Sequence, residues 1–146
     1  MKVLLDTNVY IRALRSEAER ARFRATYFPL LPATVLSAVV AYELTVSAAD
    51  VRTRDLLAEF IAPMERAGRV VTPTFADWQS AAAIVSAIGR KDGAWRSKLP
   101  VLLNDVLIAL CARRVGAQVL TYNGTDFRLI KRRLDFGLRV LAVAKP

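Results

Sequence analysis

Four acids stand at the ends of apolar runs or inside them: Asp6 in VLLDTN, Glu43 in VVAYEL, Asp105 in LLNDVL and Asp126 in TYNGTDF. A carboxylate taken out of water is costly unless something pairs with it. Taken singly, each has an ordinary reading: Asp105 as partner of a helix dipole, Asp126 as the cap of a following helix. Glu43 resists one, because it interrupts an apolar face and no Lys or Arg stands three or four positions away. Gathered at one place, such acids repel each other and hold their protons unless a cation neutralises them. A hard divalent ion, Mg²⁺ or Mn²⁺, takes oxygen ligands of this kind. It activates water and steadies the oxygens of a phosphodiester during in-line displacement, with no need of histidine.

Histidine is absent from the 146 residues, and Cys111 is the only cysteine. Disulfide frameworks, Cys/His zinc sites and histidine-based catalysis are therefore excluded. Cys111, inside the apolar run LIALCA, reads as a packing residue. The formal charge is +9, from 22 Lys and Arg against 13 Asp and Glu. That imbalance favours a polyanion, because phosphate contacts release counterions and arginine forks match phosphate geometry. Solubility alone is the plainer explanation of the charge, and an acidic protein partner is another.

For such acids to meet, the chain must place them at equivalent ends of one scaffold. Short apolar runs bounded by turn residues predict strands at Lys2–Leu5, Ala33–Ser37, Arg69–Thr72, Gln118–Thr121 and Leu138–Val143. Between them, helical spacing predicts helices over 8–15, 38–48, 53–67, 75–88 and 103–115. Ser37 and Thr74 stand where N-caps belong, and Gly68, Gly89 and Gly116 where helices end. Strands apolar along their whole length, alternating with helices, predict one α/β domain over residues 1–146, a three-layer sandwich around a central five-stranded parallel sheet. Ligands of such sheets bind beyond the carboxyl ends of the strands, where Asp6 and Asp126 would fall.

The stretch GRKDGAWRSKLP reads as a basic loop. There Trp95 among Arg90, Lys91, Arg96 and Lys98 is a candidate RNA contact, the ring for a base and the cations for phosphates. A Trp folded back onto the core is the competing reading. Ala25 to Tyr42 form 18 consecutive uncharged positions, but Pro29 and Pro32 interrupt them, so a membrane helix is not expected. Asp6 also breaks any signal-peptide core, and the chain reads as cytoplasmic.

The opening LLDTNVYI, the passage LSAVVAYEL, the segment LPVLLNDVLIALCA and VLTYNGTDF, in that order and spacing, resemble the PIN-domain ribonucleases, and within them the compact VapC-type toxins. The likeness spans nearly the whole chain. It implies the parallel five-stranded fold, Mg²⁺-dependent (or Mn²⁺-dependent) endoribonuclease activity, a homodimer, and a cognate antitoxin. It also implies that Asp6, Glu43 and Asp105 hold the metal, with Asp126 or Asn123 at the fourth position. Thr7 and Thr121 match the family's hydroxyl positions, and Asn8 joins them as support. The segment Val51 to Met64 carries apolar residues at helical spacing, fit for the core or a dimer interface.

Two rivals remain in view. Haloacid-dehalogenase phosphatases also place an aspartate after the first strand but need an acid two positions later, where Asn8 stands; receivers of response regulators need an acidic pair that is missing. The alternative function is a PIN-like module that binds RNA without cleaving it.

Overall fold

Leu4, Leu36 and Val119 are shut off from solvent entirely, as residues of strands covered on both faces must be. The computed structural model describes residues 1–143. Its elements run β1 (Lys2–Leu5), α1 (Thr7–Leu14), α2 (Glu17–Tyr27), β2 (Thr34–Ser37), α3 (Ala38–Ser47), α4 (Val51–Arg66) and β3 (Val70–Val71). They continue as α5 (Phe75–Lys91), α6 (Leu99–Val115), β4 (Ala117–Thr121), α7 (Gly124–Lys131) and β5 (Gly137–Val140). Two 3₁₀ helices, Phe28–Ala33 and Gly93–Lys98, complete the set.

The strands form one parallel sheet in the order β3-β2-β1-β4-β5. Every residue of β2 is buried, and since successive side chains point to opposite faces, both faces of the sheet are covered. This is the α/β fold that the alternating runs predict. Beginning β1 at the centre of the sheet puts Asp6, its successor, in the middle of the carboxyl edge. The Asp6 amide continues the ladder, donating to the Leu120 carbonyl at 2.9 Å.

Local chemistry explains most boundaries. The Ser37 hydroxyl accepts from the Val39 amide at 3.1 Å and starts α3. Thr74 and Asp77 exchange reciprocal bonds in a capping box that starts α5. Gly68 and Gly116 both take φ +67°, the left-handed conformation that ends α4 and α6. No atom lies within 4 Å of a side chain added at Gly116, so Gly116→Ala meets backbone strain alone. We expect it to lower unfolding free energy by about 1–2 kcal/mol, read as a shifted urea midpoint with unchanged slope.

Several expectations are corrected. Gly89 does not end its helix: α5 runs on to Lys91, and Gly89 is buried against the Leu99 methyl groups. The stretch from Gly89 to Pro100 is not a loop, because it holds the end of α5, a 3₁₀ helix and the first residues of α6. Helix α6 begins at Leu99, with Pro100 in its first turn, so Asp105 lies in the second turn and not the first. β3 is only two residues long, and β5 ends at Val140, short of the expected Val143.

Helix α2 is an addition to the predicted elements. Only Tyr27 of it is buried; Arg20–Glu17 and Arg22–Glu19 pairs at 3.2 and 3.3 Å line its surface, and Arg12 of α1 reaches Glu19 at 3.0 Å. Cys111 is fully buried in α6, and burial pushes its thiol up to about 11, which suits a packing role. The uncharged stretch from Ala25 to Tyr42 resolves into the end of α2, a 3₁₀ helix, β2 and the start of α3. Among the described residues no helix is long and apolar enough to cross a membrane.

Candidate active site

Asp6 follows β1 directly and caps α1, its Oδ1 accepting the Thr7 amide at 2.8 Å. Its other oxygen, Oδ2, accepts the hydroxyl of Thr121 at 2.7 Å. Thr121 closes β4, the strand beside β1, so parallel pairing of two strand ends sets this bond. The same Thr121 oxygen accepts Asn8 Nδ2 at 3.1 Å and the Asn123 amide at 2.9 Å. One donated and two accepted bonds exhaust a hydroxyl. Asn8 is fixed in turn, its Oδ1 accepting the Tyr122 amide at 3.2 Å. Asp6 is thus held by a chain of bonds that runs from α1 to the end of β4.

Asp126 lies on the first turn of α7, whose cap is Asn123 and not Asp126 itself. Asn123 Oδ1 accepts the Asp126 amide at 3.4 Å, and its Nδ2 donates to Asp126 Oδ2 at 2.8 Å. The Asn123 carbonyl is therefore engaged on the helix, while Asp126 keeps Oδ1 free of hydrogen bonds to described residues.

Glu43 comes from the second turn of α3 and Asp105 from the second turn of α6. So deep in its helix, Asp105 has no free amide to cap, which removes the dipole reading. Glu43 Oε1, Asp105 Oδ2 and the Thr7 hydroxyl are buried and make no hydrogen bond to the described residues. Buried polar atoms without partners are rare enough to need a cause.

The four acids feel one another. Burial is the largest influence on Asp105, and with Asp6, Asp126 and Glu43 it pushes the carboxyl up to about 8. Burial likewise raises Asp6, against the lowering by Thr121 and Thr7, with Asp126 raising it further. Glu43 is raised by burial first and by Asp6 second, while the nearby Thr7 hydroxyl offsets part of this without reaching hydrogen-bond geometry. Without a cation, Asp105 keeps its proton at neutral pH.

Among the described residues, no three Asp, Glu, His or Cys side chains stand close enough to ligate one ion together. The fit to a divalent metal rests on the chemistry of the donors: hard oxygens, two of them buried and unpartnered, in a field that favours added positive charge. Mg²⁺ suits this arrangement, since it keeps several waters and needs only one or two carboxylates.

Of the five residues expected to touch RNA, the structure brings two into one cleft. Lys91 and Trp95 line a cavity of about 830 Å³ together with Arg128, Arg132 and Arg133 from α7 and the turn after it. Lys98 lies over the Trp95 ring, 5.3 Å from its centroid, whereas Arg90 and Arg96 are exposed outside the cleft. Trp95 is half-buried against the core, between the two readings of it. The arginines were missed because nothing in their local sequence ties them to a tryptophan over 30 positions earlier; their signal was the spacing Arg128, Arg132 on one helical face.

Comparison with solved structures finds the same fold. A structure of FitAB bound to an IR36 DNA fragment matches with TM-score 0.61 and 22% identity, covering 94% of each chain. FitAcB from Neisseria gonorrhoeae matches with TM-score 0.59 and 20% identity over 93% of this chain and 95% of its own. VapBC2 from Rickettsia felis, bound to a DNA fragment from their promoter, matches with TM-score 0.61 and 18% identity over 97% and 100%. No curated protein sequence gives a significant match. The sequence profile of the PIN domain matches residues 3–133, and the chain belongs to the PIN-domain family.

Proposed function

We propose that this chain is a metal-dependent endoribonuclease, the toxin of a toxin–antitoxin pair, acting in the cytoplasm as a homodimer of one-domain subunits. The observation that carries the reading is the pair of buried, unpartnered oxygens, Glu43 Oε1 and Asp105 Oδ2, beside the rigidly held Asp6. Family membership supports nuclease chemistry, and the likeness to FitAB and VapBC2 supports a small antitoxin as partner.

Asp6, Glu43, Asp105 and Asp126 would hold Mg²⁺ or Mn²⁺. When bound, the ion neutralises the acids, activates water and stabilises charge developing on the phosphodiester oxygens. The chain's part is positioning. Thr121 and the Thr7 amide fix both oxygens of Asp6, so its carboxylate needs no reorganisation. Asn123 holds one oxygen of Asp126 and leaves the other for the site. The basic surface gathers RNA toward these acids.

Thr121→Val keeps the shape of the side chain and removes the donor to Asp6. We expect a 10- to 100-fold loss of cleavage, the usual effect of removing a partner that orients a ligand, with the fold retained by circular dichroism.

The deciding experiment incubates the purified chain, free of any partner, with structured and single-stranded RNAs in Mn²⁺, Mg²⁺ or chelator, beside Asp6→Asn. Cleavage that needs both metal and Asp6 supports the reading. Binding without cleavage in every metal supports a PIN-like RNA-binding module instead.

A further inference from the structure

The cleft on the α5 and α7 side carries four cations, Lys91, Arg128, Arg132 and Arg133, and a single acid, Asp92, among its described lining. Asp92 is already engaged, its Oδ1 accepting the Ala94 amide at 3.0 Å as the cap of the 3₁₀ helix. Among the described residues none of the four cations has a salt-bridge partner, although the chain pairs other arginines with Glu17, Glu19 and Asp77. Arg128 and Arg132 stand four apart on one helical face, an arrangement that repels. The dipole of α7 favours cations at its C-terminal end, where Arg128 stands in the last turn and Arg132 follows as the cap. The Arg128 guanidinium folds back over Gly124, at the opposite end of the helix: a Cβ there would fall 2.8 Å from Nη1. That end also bears Asp126, yet the Asp126 carboxylate bonds to Asn123 and not to Arg128.

The cleft adjoins the acids along the chain at two points. Thr125, also in its lining, precedes Asp126, and the 3₁₀ helix that holds Trp95 leads straight into α6, which carries Asp105. Its floor is apolar, with Leu129 partly buried and Trp95 half-exposed. At about 830 Å³ it exceeds what one phosphate fills. Cations without partners around an aromatic wall are the features that hold a phosphodiester strand with unstacked bases.

We infer that this cleft seats the single-stranded RNA that flanks the scissile phosphate, with Arg128, Arg132, Arg133 and Lys91 on backbone phosphates and Trp95 with Leu129 against a base. The inference rests on the nuclease reading for the word scissile, and on the cleft alone for the strand. A base-paired helix is a poorer occupant, because its bases are stacked on each other and cannot reach the ring.

The test measures binding of a fluorescein-labelled single-stranded RNA of about 12 nucleotides to the full chain carrying Asp6→Asn, in Mg²⁺, across a salt series. Arg128→Ala with Arg132→Ala is compared with Arg66→Ala with Arg113→Ala, two exposed arginines outside the cleft. We expect the cleft pair to weaken binding at least tenfold and to flatten the slope of log K against log salt by about 1.4, or about 0.7 per lost phosphate contact. The control pair leaves affinity within about twofold, Arg128→Lys with Arg132→Lys restores most of the slope, and Trp95→Leu weakens binding with the slope unchanged. Equal weakening by the cleft and control pairs overturns the proposal, since the charge then acts diffusely. So does an unchanged affinity in the cleft pair, or loss of binding to an acidic poly-glutamate peptide in place of RNA. Circular dichroism on each variant separates these outcomes from unfolding. If the unmutated chain cuts RNA in no metal but the cleft difference persists, the nuclease reading falls and the seat stands. If cutting persists and the cleft pair binds and cuts normally, the seat alone falls.

Discussion

Asp105→Asn should lower RNA cleavage by about 10³-fold or more and, in chelator at pH 8, raise the thermal midpoint by roughly 10 °C. The first figure follows from losing several kcal/mol of charge stabilisation at about 1.4 kcal/mol per tenfold in rate. The second follows from the carboxyl itself, which its neighbours and its burial push up to about 8. At neutral pH the unfolded chain releases this proton freely and the folded chain does not. The difference opposes folding by a few kcal/mol, each worth roughly 2–4 °C in a chain of this size. An amide has no proton to lose, so the opposition vanishes. Single-turnover cleavage and differential scanning calorimetry on the same preparation read both numbers. Loss of activity together with loss of the folded state would show that Asp105 serves the core and not the chemistry.

Stability of the unmutated chain in chelator should fall steadily between about pH 5 and pH 8, by a few kcal/mol in total, and added Mg²⁺ should remove most of that fall. Asp105 is pushed up to about 8 in the folded state, so the native chain binds more protons than the unfolded one across this interval, and Asp6 and Glu43 shift in the same direction. Stability is then greatest where the acids are protonated in both states and declines as pH climbs toward the folded values. Acids with the opposite shift, Glu19 and Asp50, act only near and below their ordinary range and do not intrude. With no histidine in the sequence, the interval belongs largely to the site. Urea midpoints at pH 5, 6.5 and 8, with EDTA and with Mg²⁺, give the curve. A flat or rising profile in EDTA would mean that the acids are not clustered as described.

What could be read from sequence was what depends on near neighbours. The runs KVLL and QVLT announced buried strands, Ser37 and Thr74 announced helix starts, and Gly68 and Gly116 announced helix ends. Asp6, Glu43, Asp105 and Asp126 were visible because an acid in an apolar setting is conspicuous in one dimension. Their supports were partly visible: Asn8 and Thr121 do meet across more than 100 positions, Asn123 joins Thr121 through its amide, and Thr7 reaches Asp6 through its backbone amide while its hydroxyl stays unpartnered among the described residues. Helix α2 was hidden because its stability comes from ion pairs and a Ser16 cap, with little apolar periodicity, although Ser16 and Glu19 carried a capping signature. Gly89 misled because a glycine chosen for close packing on Leu99 looks the same as one chosen for its backbone. The basic cleft was legible only by half, since proximity of Trp95 to Arg128 is a property of the fold.

The bond between Thr121 and Asp6 joins residues 115 apart in the chain, across neighbouring strands of the sheet. At 5–20 residues per second a ribosome needs roughly 6–23 s to pass from one to the other. Throughout that interval β1 has no β4 beside it, the Asp6 carboxylate has no hydroxyl to hold it, and α7 with Asp126 does not yet exist. A nascent chain of this topology acquires its acids as a set only after Asp126 has been made.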